Sequence, residues 1–404
     1  MRSLLNRLQV YHKPMRTILI LIVMSGLITS AQSAFAGETN RLRVATFNVA
    51  MGLDEAGDLG RALAGSSDIR LQQVAEILQR VRPDIVLLNE FDYDAAVDAA
   101  ALLNANYLGI SQNGQEPLHY PFHFSAPVNT GVDSGNDLDR DGQTGGPGDA
   151  WGFGRFPGQY GMLILSRFPI DADRSRTFQK FRWSDLPGAL RPVNPDGSDY
   201  YPDEIWQSLR LSSKSHWDVV IETGKRPLHL LAHHPTPPVF DGPEDRNGKR
   251  NFDEIRFWLE YTRPEGWNGL TDDNGRAGGI ESGATFVIAG DFNADPGDGD
   301  SLKGAIEQLL DAPWINGSCV PRSRGGAEAA SLQGGVNESQ RGDPAADTSD
   351  FNDRYTGNLR LDFLLPSSGL TVAGCGVFWP ATDEPGHDLA GVSDHRLVWL
   401  DIEQ

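Results

Sequence analysis

Val287-Ile288-Ala289-Gly290-Asp291-Phe292-Asn293 is an apolar run that ends in a carboxylate and an amide. Short runs of this kind, bounded by Gly, Pro or Asp, are typical of core strands. Alternate residues of an extended chain share a face, so Asp291 and Asn293 lie on one side and Phe292 points into packing. The run therefore predicts a buried strand whose end carries polar groups into a site.

Five further segments follow the same pattern. They are Leu42-Arg43-Val44-Ala45-Thr46-Phe47-Asn48, Asp84-Ile85-Val86-Leu87-Leu88-Asn89-Glu90, Leu228-His229-Leu230-Leu231-Ala232-His233-His234, Leu359-Arg360-Leu361-Asp362-Phe363-Leu364-Leu365, and Ser393-Asp394-His395 before a last strand at 396–402. One polar strand end is explained by turn formation, because Asp and Asn favour turns. Six of them in one chain indicate acids, amides and imidazoles that converge to hold a divalent cation and to transfer protons.

The order of these motifs resembles the endonuclease/exonuclease/phosphatase superfamily, which includes deoxyribonuclease I, apurinic endonucleases, neutral sphingomyelinases and inositol-polyphosphate 5-phosphatases. The motifs are Phe47-Asn48, Asn89-Glu90, His234, Gly290-Asp291-Phe292-Asn293, Leu361-Asp362-Phe363 and Ser393-Asp394-His395. Each is weak alone, but together they cover about 43–402. The resemblance implies an α/β fold of the deoxyribonuclease I type, a four-layer α/β/β/α sandwich of two packed mixed sheets.

The metal site is predicted at Glu90, with Asn48 and Asp394 nearby. Mg²⁺ is usually held by one or two carboxylates and keeps several waters, which suits a single Glu at the end of a buried run. A solvated turn acid is the alternative for Glu90, and the motif match favours the ligand. The expected cofactor is Mg²⁺ or Mn²⁺.

The catalytic residues are predicted from the same match. His395 would activate water or steady the phosphoryl group, and Asp362 would orient its ring. Asp291 would position the attacking water or a proton, while Asn293 would donate to a phosphate oxygen. The alternative for Asp291 and Asn293 is an Asx turn that caps the next loop.

Four further residues are candidates for contact with phosphate. The family places one histidine at the end of the run 228–234, and alignment favours His234 over His233. Arg167 is predicted to bind phosphate because its planar fork suits phosphate geometry, and Tyr160 is predicted to supply a hydroxyl. Arg155 is also considered, although a surface salt bridge explains it equally well.

Residues 1–36 have the features of a cleaved signal peptide. The basic residues of this segment are Arg2, Arg7, Lys13 and Arg16. The stretch 17–29 is apolar but falls short of the roughly 20 residues that span a bilayer, and Ala34-Phe35-Ala36 matches a cleavage site. We expect a secreted or periplasmic mature chain, 37–404, that forms a single catalytic domain without a transmembrane segment.

The net charge of the chain limits the classes of molecule that it is expected to bind. The 404 residues include 35 Lys and Arg against 55 Asp and Glu, for a net charge of −20, or near −24 without residues 1–36. Proteins that bind duplexes usually carry a basic stripe, and this sequence has no such run. The acidic balance favours solubility and disfavours tight binding of nucleic acid, but it does not exclude hydrolysis of a single phosphate ester.

Three segments between the motifs are predicted to be insertions that determine specificity: 126–159, 181–215 and 235–251. In the first, Asp137, Asp139 and Asp141 precede Gly142 with the spacing of the opening half of a calcium loop. Gly148 occupies the position of the closing acid. A structural calcium site closed by other ligands, a lid and a solvated loop all remain open.

Periodicity and cysteine content add local predictions. Apolar spacing predicts helices at 68–81, 252–261 and 301–310, and a strand at 160–165. Outside the cytoplasm, Cys319 and Cys375 would form a disulfide worth roughly 4 kcal/mol, and two buried thiols are the alternative.

The function that this resemblance implies is an exported, metal-dependent phosphoesterase. Water would attack a phosphodiester in line, as in a nuclease, without a covalent intermediate. Two alternatives remain: a phosphomonoesterase that scavenges phosphate from small organic phosphates, and a non-catalytic binding protein on the same fold. Nucleic acid, small organic phosphates and phospholipid head groups are all candidate substrates, and we expect a monomer.

Overall fold

The computed structural model describes residues 41–403, and within this range the chain forms thirteen strands and seven α-helices. The strands are β1 (Arg41–Met51), β2 (Ile85–Phe91), β3 (Phe122–Phe124), β4 (Met162–Ser166), β5 (Ile170–Thr177), β6 (His216–Ile221), β7 (Leu228–His233), β8 (Thr285–Asp291), β9 (Ser349–Asp350), β10 (Asn358–Leu359), β11 (Asp362–Pro366), β12 (Val372–Phe378) and β13 (Leu397–Glu403). The helices are α1 (Asp58–Ala64), α2 (Ile69–Val81), α3 (Ala99–Leu103), α4 (Asp203–Trp206), α5 (Arg246–Thr262), α6 (Glu307–Leu310) and α7 (Arg324–Gln333).

The strands form two large mixed sheets. The six-stranded sheet has the order β12-β13-β1-β2-β4-β3, and the five-stranded sheet has the order β11-β8-β7-β6-β5, while β9 and β10 pair separately. β1 is parallel to β2 and antiparallel to β13. In the second sheet, β8 is parallel to β7 and antiparallel to β11.

Alternation along the central strands separates the interior into layers. Val44 of β1 and Val287 of β8 belong to the core between the two sheets. Phe47 faces the other way and packs with helices α1 to α3, while Ile288 packs with α5 and α6. Helices therefore cover the outer face of each sheet, which confirms the predicted α/β/β/α sandwich.

The local predictions are largely confirmed. The helix predicted at 68–81 is α2, whose N-terminus is capped by Asp68 through a bond from the Leu71 amide of 2.9 Å. The segment 252–261 lies inside α5, which begins six residues earlier. Only the last turn of 301–310 is helical, because Gly304 adopts a left-handed φ of 89° that interrupts the helix.

Cys319 and Cys375 form a disulfide, with Cα atoms 6.2 Å apart. The bond ties the segment before α7 to β12, which is an edge strand of the six-stranded sheet. Closing a loop of 56 residues contributes about 4 kcal/mol in the chain-entropy account.

In the described range, no helix has both the length and the apolar character needed to cross a membrane. The predicted signal peptide lies outside the described residues.

Candidate active site

The polar strand ends meet at one edge of the sandwich. His216 pairs with His233, and Asp362 pairs with Asp291, so the first residues of β6 and β11 lie beside the last residues of β7 and β8. The alternation that directs Val44 and Val287 between the sheets also directs Asn48 and Asp291 there. The sequence pattern therefore places these side chains together because their strands end at the same edge.

Asp291 is the centre of the cluster and is almost fully buried. The Asn48 Nδ2 donates to Asp291 Oδ2 and to Glu90 Oε1, at 3.1 Å in each case. The same Asp291 oxygen lies 3.4 Å from His234 Nε2 and 3.5 Å from His395 Nε2. Five of the predicted site residues, counting Asp291 itself, are thus connected by these contacts, and Glu90 is connected through Asn48.

Glu90 reaches this cluster through a break in strand alternation. Its neighbours Val86 and Leu88 face the helices, and regular alternation would turn Glu90 the same way. Instead, Glu90 has a φ of 54°, and Ala50 on the adjacent strand has a φ of 50° where the pairing register shifts. Left-handed conformations of non-glycine residues are strained and occur often at functional sites.

His395 is held by a second carboxylate. Its Nδ1 lies 2.8 Å from Asp362 Oδ2, and Thr348 Oγ1 donates to that oxygen at 2.8 Å. Thr348 also accepts from the amides of Leu361 and Asp362, which fixes its hydroxyl. Sequence reasoning did not find Thr348, because it lies in a loop without strand or motif character.

Burial and charge set the protonation states of these groups. Burial raises the pKa of Asp291 to about 6, although the charge of His395 opposes the shift. Burial lowers the pKa of His395, but the charges of Asp362 and Asp291 outweigh it and raise that pKa to about 10. Burial among other cationic groups holds the pKa of His234 well below its usual range. At neutral pH, His395 is therefore a cation and His234 is neutral.

Glu90 offers carboxylate oxygens that suit a hard divalent cation, whereas Asn48 directs its Nδ2 to Glu90 and its oxygen accepts from the Ala50 amide at 3.0 Å. Burial raises the pKa of Glu90, which means that its negative charge is poorly compensated by the protein alone. Ligand atoms of Asp291, Asp362 and His395 also come within 4.8 Å of one another. Within this second group, His395 Nδ1 already lies 2.8 Å from Asp362 Oδ2.

The structure distinguishes the two adjacent histidines. His234 contacts Asp291, whereas the ring of His233 packs against Phe292 at 4.3 Å and Trp258 at 6.0 Å between centroids. His233 therefore lies on the helix side of the sheet.

Two predicted residues have different surroundings from those expected. The Asn293 Nδ2 donates to Pro235 O at 3.2 Å, so its amide joins two strand ends. Asp394 is exposed and accepts from Ser393 Oγ at 3.3 Å. Ser393 also donates to the carbonyl of Asn48, which connects this segment to β1.

Tyr160 and Arg167 lie at opposite ends of β4. Tyr160 precedes the strand and lines a cavity together with Glu90 and His234. Arg167 follows the strand and pairs with Asp84 at 2.9 Å, at the start of β2 rather than its end. Since strands rise about 3.3 Å per residue, Arg167 is roughly 20 Å from Glu90, and the prediction that it binds phosphate at this site is wrong. Arg155 forms the expected surface pair with Asp54.

Lys214 is a cation of the site that the sequence reasoning missed. It is 6% exposed and lines the same cavity as Glu90 and His234. Burial lowers its pKa, while Glu254, Glu90 and Asp291 oppose the shift. The signal that could have indicated it is the polar run 212–216 before the apolar strand β6, whose first residues lie at the site because β6 is antiparallel to β7.

The acidic loop of the first insertion brings together a different set of carboxylates from the set that the sequence spacing predicts. Carboxylate oxygens of Asp137, Asp139 and Asp149 come within 4.8 Å of one another. Asp141, the third predicted ligand, accepts instead from the Gln143 amide at 2.8 Å. Asp149 is buried and accepts from the amides of Leu138 and Gly146. The calcium prediction for Asp137, Asp139 and Asp141 stays a prediction, and Asp149 rather than Asp141 is the acid that lies close to the other two.

An α/β sandwich with acids and imidazoles at one set of strand ends defines a phosphoesterase or nuclease-like class of fold. The model of the endonuclease/exonuclease/phosphatase family matches residues 45–395, and this chain belongs to that family. Among curated proteins, no sequence matches the chain significantly.

Solved structures with a similar fold share little sequence with this chain. An endonuclease/exonuclease/phosphatase from Beutenbergia cavernae is 17% identical, with 90% of this chain and 71% of that chain covered at a TM-score of 0.49. A family protein from Leptotrichia buccalis is 14% identical, with 90% and 100% covered at a TM-score of 0.47. The catalytic domain of human Nocturnin is 15% identical, with 90% and 95% covered at a TM-score of 0.43.

Proposed function

We propose that this protein is a divalent-metal-dependent phosphoesterase that hydrolyses phosphodiesters by in-line attack of water. The observation that supports the proposal most directly is the contact network around Asp291, in which one carboxylate oxygen meets Asn48, His234 and His395. A metal ion held by Glu90, with the predicted residues Asn48 and Asp394 nearby, would supply charge neutralisation at the phosphate.

The protonation states of Asp291 and His395 indicate different roles for the two residues. Asp291 has a pKa of about 6, so it is ionised at neutral pH and close enough to that pH to accept a proton from water efficiently. His395 is protonated and would stabilise negative charge on the phosphoryl oxygens, which favours the second of its two predicted roles. Lys214 takes the place of Arg167 as the cation available to phosphate in this proposal.

The test is hydrolysis of bis-p-nitrophenyl phosphate with Mg²⁺, Mn²⁺, Ca²⁺ or chelator. Asp291→Asn should reduce turnover by roughly 10²–10⁴-fold, because the substitution removes the base and keeps the shape. Asp311→Asn, on an exposed residue after α6, is the matched control and should behave as wild type. Activity that survives chelation, or wild-type turnover in Asp291→Asn, would contradict the proposal.

A phosphomonoesterase is the second candidate function. It is supported by the net charge of −20, which disfavours polyanions, and by a pocket of small-molecule size beside the site. Parallel assays with p-nitrophenyl phosphate decide between the two: a monoester preference would favour the phosphatase. If neither ester is hydrolysed while a phosphate analogue still binds, the non-catalytic alternative is favoured.

The proposal includes export of the mature chain to the periplasm or the medium. It is supported by the basic and apolar character of residues 1–36 and by the Cys319–Cys375 bond, since disulfides persist mainly outside the cytoplasm.

A further inference from the structure

A cavity of about 620 Å³ opens beside Glu90, His234 and Lys214. Its walls come from all three predicted insertions, with Leu138, Trp183 and Val239 as one example from each. Cavities of roughly 300–1,000 Å³ are the usual size of small-molecule sites. The proposed hydrolytic groups therefore lie at one end of a chamber that the segments between the family motifs build.

The chamber wall is largely aromatic and apolar. Trp183 and Tyr201 are buried in it, whereas Phe240 is 88% exposed and Phe153 is 63% exposed. A single exposed apolar side chain is ordinary, but these two come from different insertions that meet at the same cavity, and exposed apolar groups that adjoin one another are typical of binding sites. The exposed rings offer contact area that the fold itself does not use.

The walls are rigidly joined at Arg250, which lines the cavity from α5. Its guanidinium donates to the carbonyls of Leu211 at 2.8 Å, Trp151 at 2.5 Å and Arg210 at 3.0 Å. These carbonyls belong to two different insertions, so one side chain holds both in place. Arg250 therefore links two of the segments that form the cavity wall.

The polar lining contains charged groups of both signs. Lys214, Arg246 and Arg250 line the cavity together with two acids, Glu90 and Asp139. Arg246 is paired with Glu244, and Asp139 accepts from the Asp141 amide at 3.2 Å. If Glu90 binds a metal ion as proposed, the cavity carries a net positive charge, which suits an anionic ligand with an organic group.

We infer that this cavity binds an aromatic organic group of the substrate, so that the enzyme acts on small phosphate esters with such a group. The inference rests on the proposed function for the position of the phosphate at Glu90. A pocket of about 620 Å³ is of a size that holds a small molecule or a chain end. Specificity would then reside in the aromatic contacts, and the phosphate contacts would be common to all substrates.

Binding of two non-hydrolysable probes, phenylphosphonate and methylphosphonate, tests the inference by calorimetry in the presence of Mg²⁺. Wild type should bind phenylphosphonate at least tenfold more tightly, because the ring leaves water for an apolar wall. The double variant Phe153→Ala/Phe240→Ala and the cavity-filling variant Val239→Trp should each lower this ratio to about threefold or less. Tyr355→Ala removes an aromatic ring that is 71% exposed elsewhere and should leave the ratio unchanged.

Three outcomes would overturn the inference: no measurable binding of phenylphosphonate, equal binding of the two probes by wild type, or an unchanged ratio in both cavity variants. The affected rings are exposed, so loss of folding does not complicate the double variant. A clear phenyl preference without hydrolysis of any ester would refute the proposed function alone, because binding and turnover are measured separately.

Discussion

His395 lies between two carboxylates, and its protonation state follows from that position. Asp362 and Asp291 face its two ring nitrogens at 2.8 Å and 3.5 Å. Their charges raise its pKa from 6.5 to about 10 against the opposing effect of burial. A raised histidine pKa also stabilises the fold: this contribution is complete below pH 6.5 and is lost as pH rises through about 10.

Asp362→Asn should shift the alkaline limit of activity to lower pH. Wild-type kcat/KM should fall as His395 loses its proton near pH 10, because the imidazolium no longer stabilises the phosphoryl oxygens. Removal of the nearest negative charge should lower that inflection by roughly one to three pH units. The measurement is a pH profile of kcat/KM with bis-p-nitrophenyl phosphate. An inflection at the wild-type pH in Asp362→Asn would show that His395 titration does not limit the rate.

Sequence reasoning placed the acids and imidazoles of the cluster but misplaced one cation and missed another. Asp291 and His234 follow apolar runs whose alternation continues to the strand end, so their direction can be read from the chain, and Asp362 begins β11 beside Asp291. Arg167 follows a similar run, yet β4 is antiparallel to β2 and carries it to the far edge. Lys214 precedes its strand, and only the pairing of β6 with β7 brings it to the site. Strand direction was the missing information.

At the scale of elements, the acidic loop in the first insertion is organised by a short turn. Asp149 ends the 3₁₀ turn Pro147–Asp149, and its carboxylate binds the amides of Leu138 and Gly146. This turn brings Asp149 to Asp137 and Asp139, while Asp141 stays in the exposed part of the loop. The sequence spacing indicated Asp137 and Asp139 of this cluster. The position of Asp149 depends on how the turn folds, so spacing could not indicate it.

Two variants in the same loop test the calcium prediction. Added Ca²⁺ should raise the melting temperature of wild type, and chelator should reverse the effect, because a ligand bound only by the folded state stabilises it. Asp139→Asn should abolish this response, whereas Asp141→Asn should retain it if Asp149 is the third ligand. A melting temperature that is insensitive to Ca²⁺ and to chelator in wild type would refute the calcium site. Loss of the response in Asp141→Asn alone would restore the ligand set expected from spacing.

At the scale of the whole molecule, the family motifs and strand alternation predict the sandwich, but not the cavity. The alternation of apolar residues in each strand predicts which side chains face each side of its sheet. The family resemblance predicts how the two sheets are arranged. The cavity requires segments near 138, 183 and 239 to meet, and nothing local in their composition specifies that contact. Its aromatic residues were expected in the insertions, whereas their common position became visible only in the fold.

Export and the disulfide can be tested together by the intact mass of the mature chain. Protein recovered from the periplasm or the medium should begin at Gly37 and should be lighter than the reduced chain by two hydrogen atoms, because Cys319 and Cys375 are bonded. The double variant Cys319→Ser/Cys375→Ser should start at the same residue and show no change of mass on reduction. A mass that includes residues 1–36 would argue against cleavage, and a reduced mass in the wild type would argue against the bond.

Arg250 holds the chamber through main-chain oxygens alone, from Trp151, Arg210 and Leu211. Every residue type carries the same main-chain oxygen, so a mutation that replaces a wall side chain leaves these anchors available. The wall can therefore accumulate substitutions while the hydrolytic end of the chamber keeps its geometry. Variation of the wall would then change which ligand fits the chamber and leave the residues at the strand ends in place.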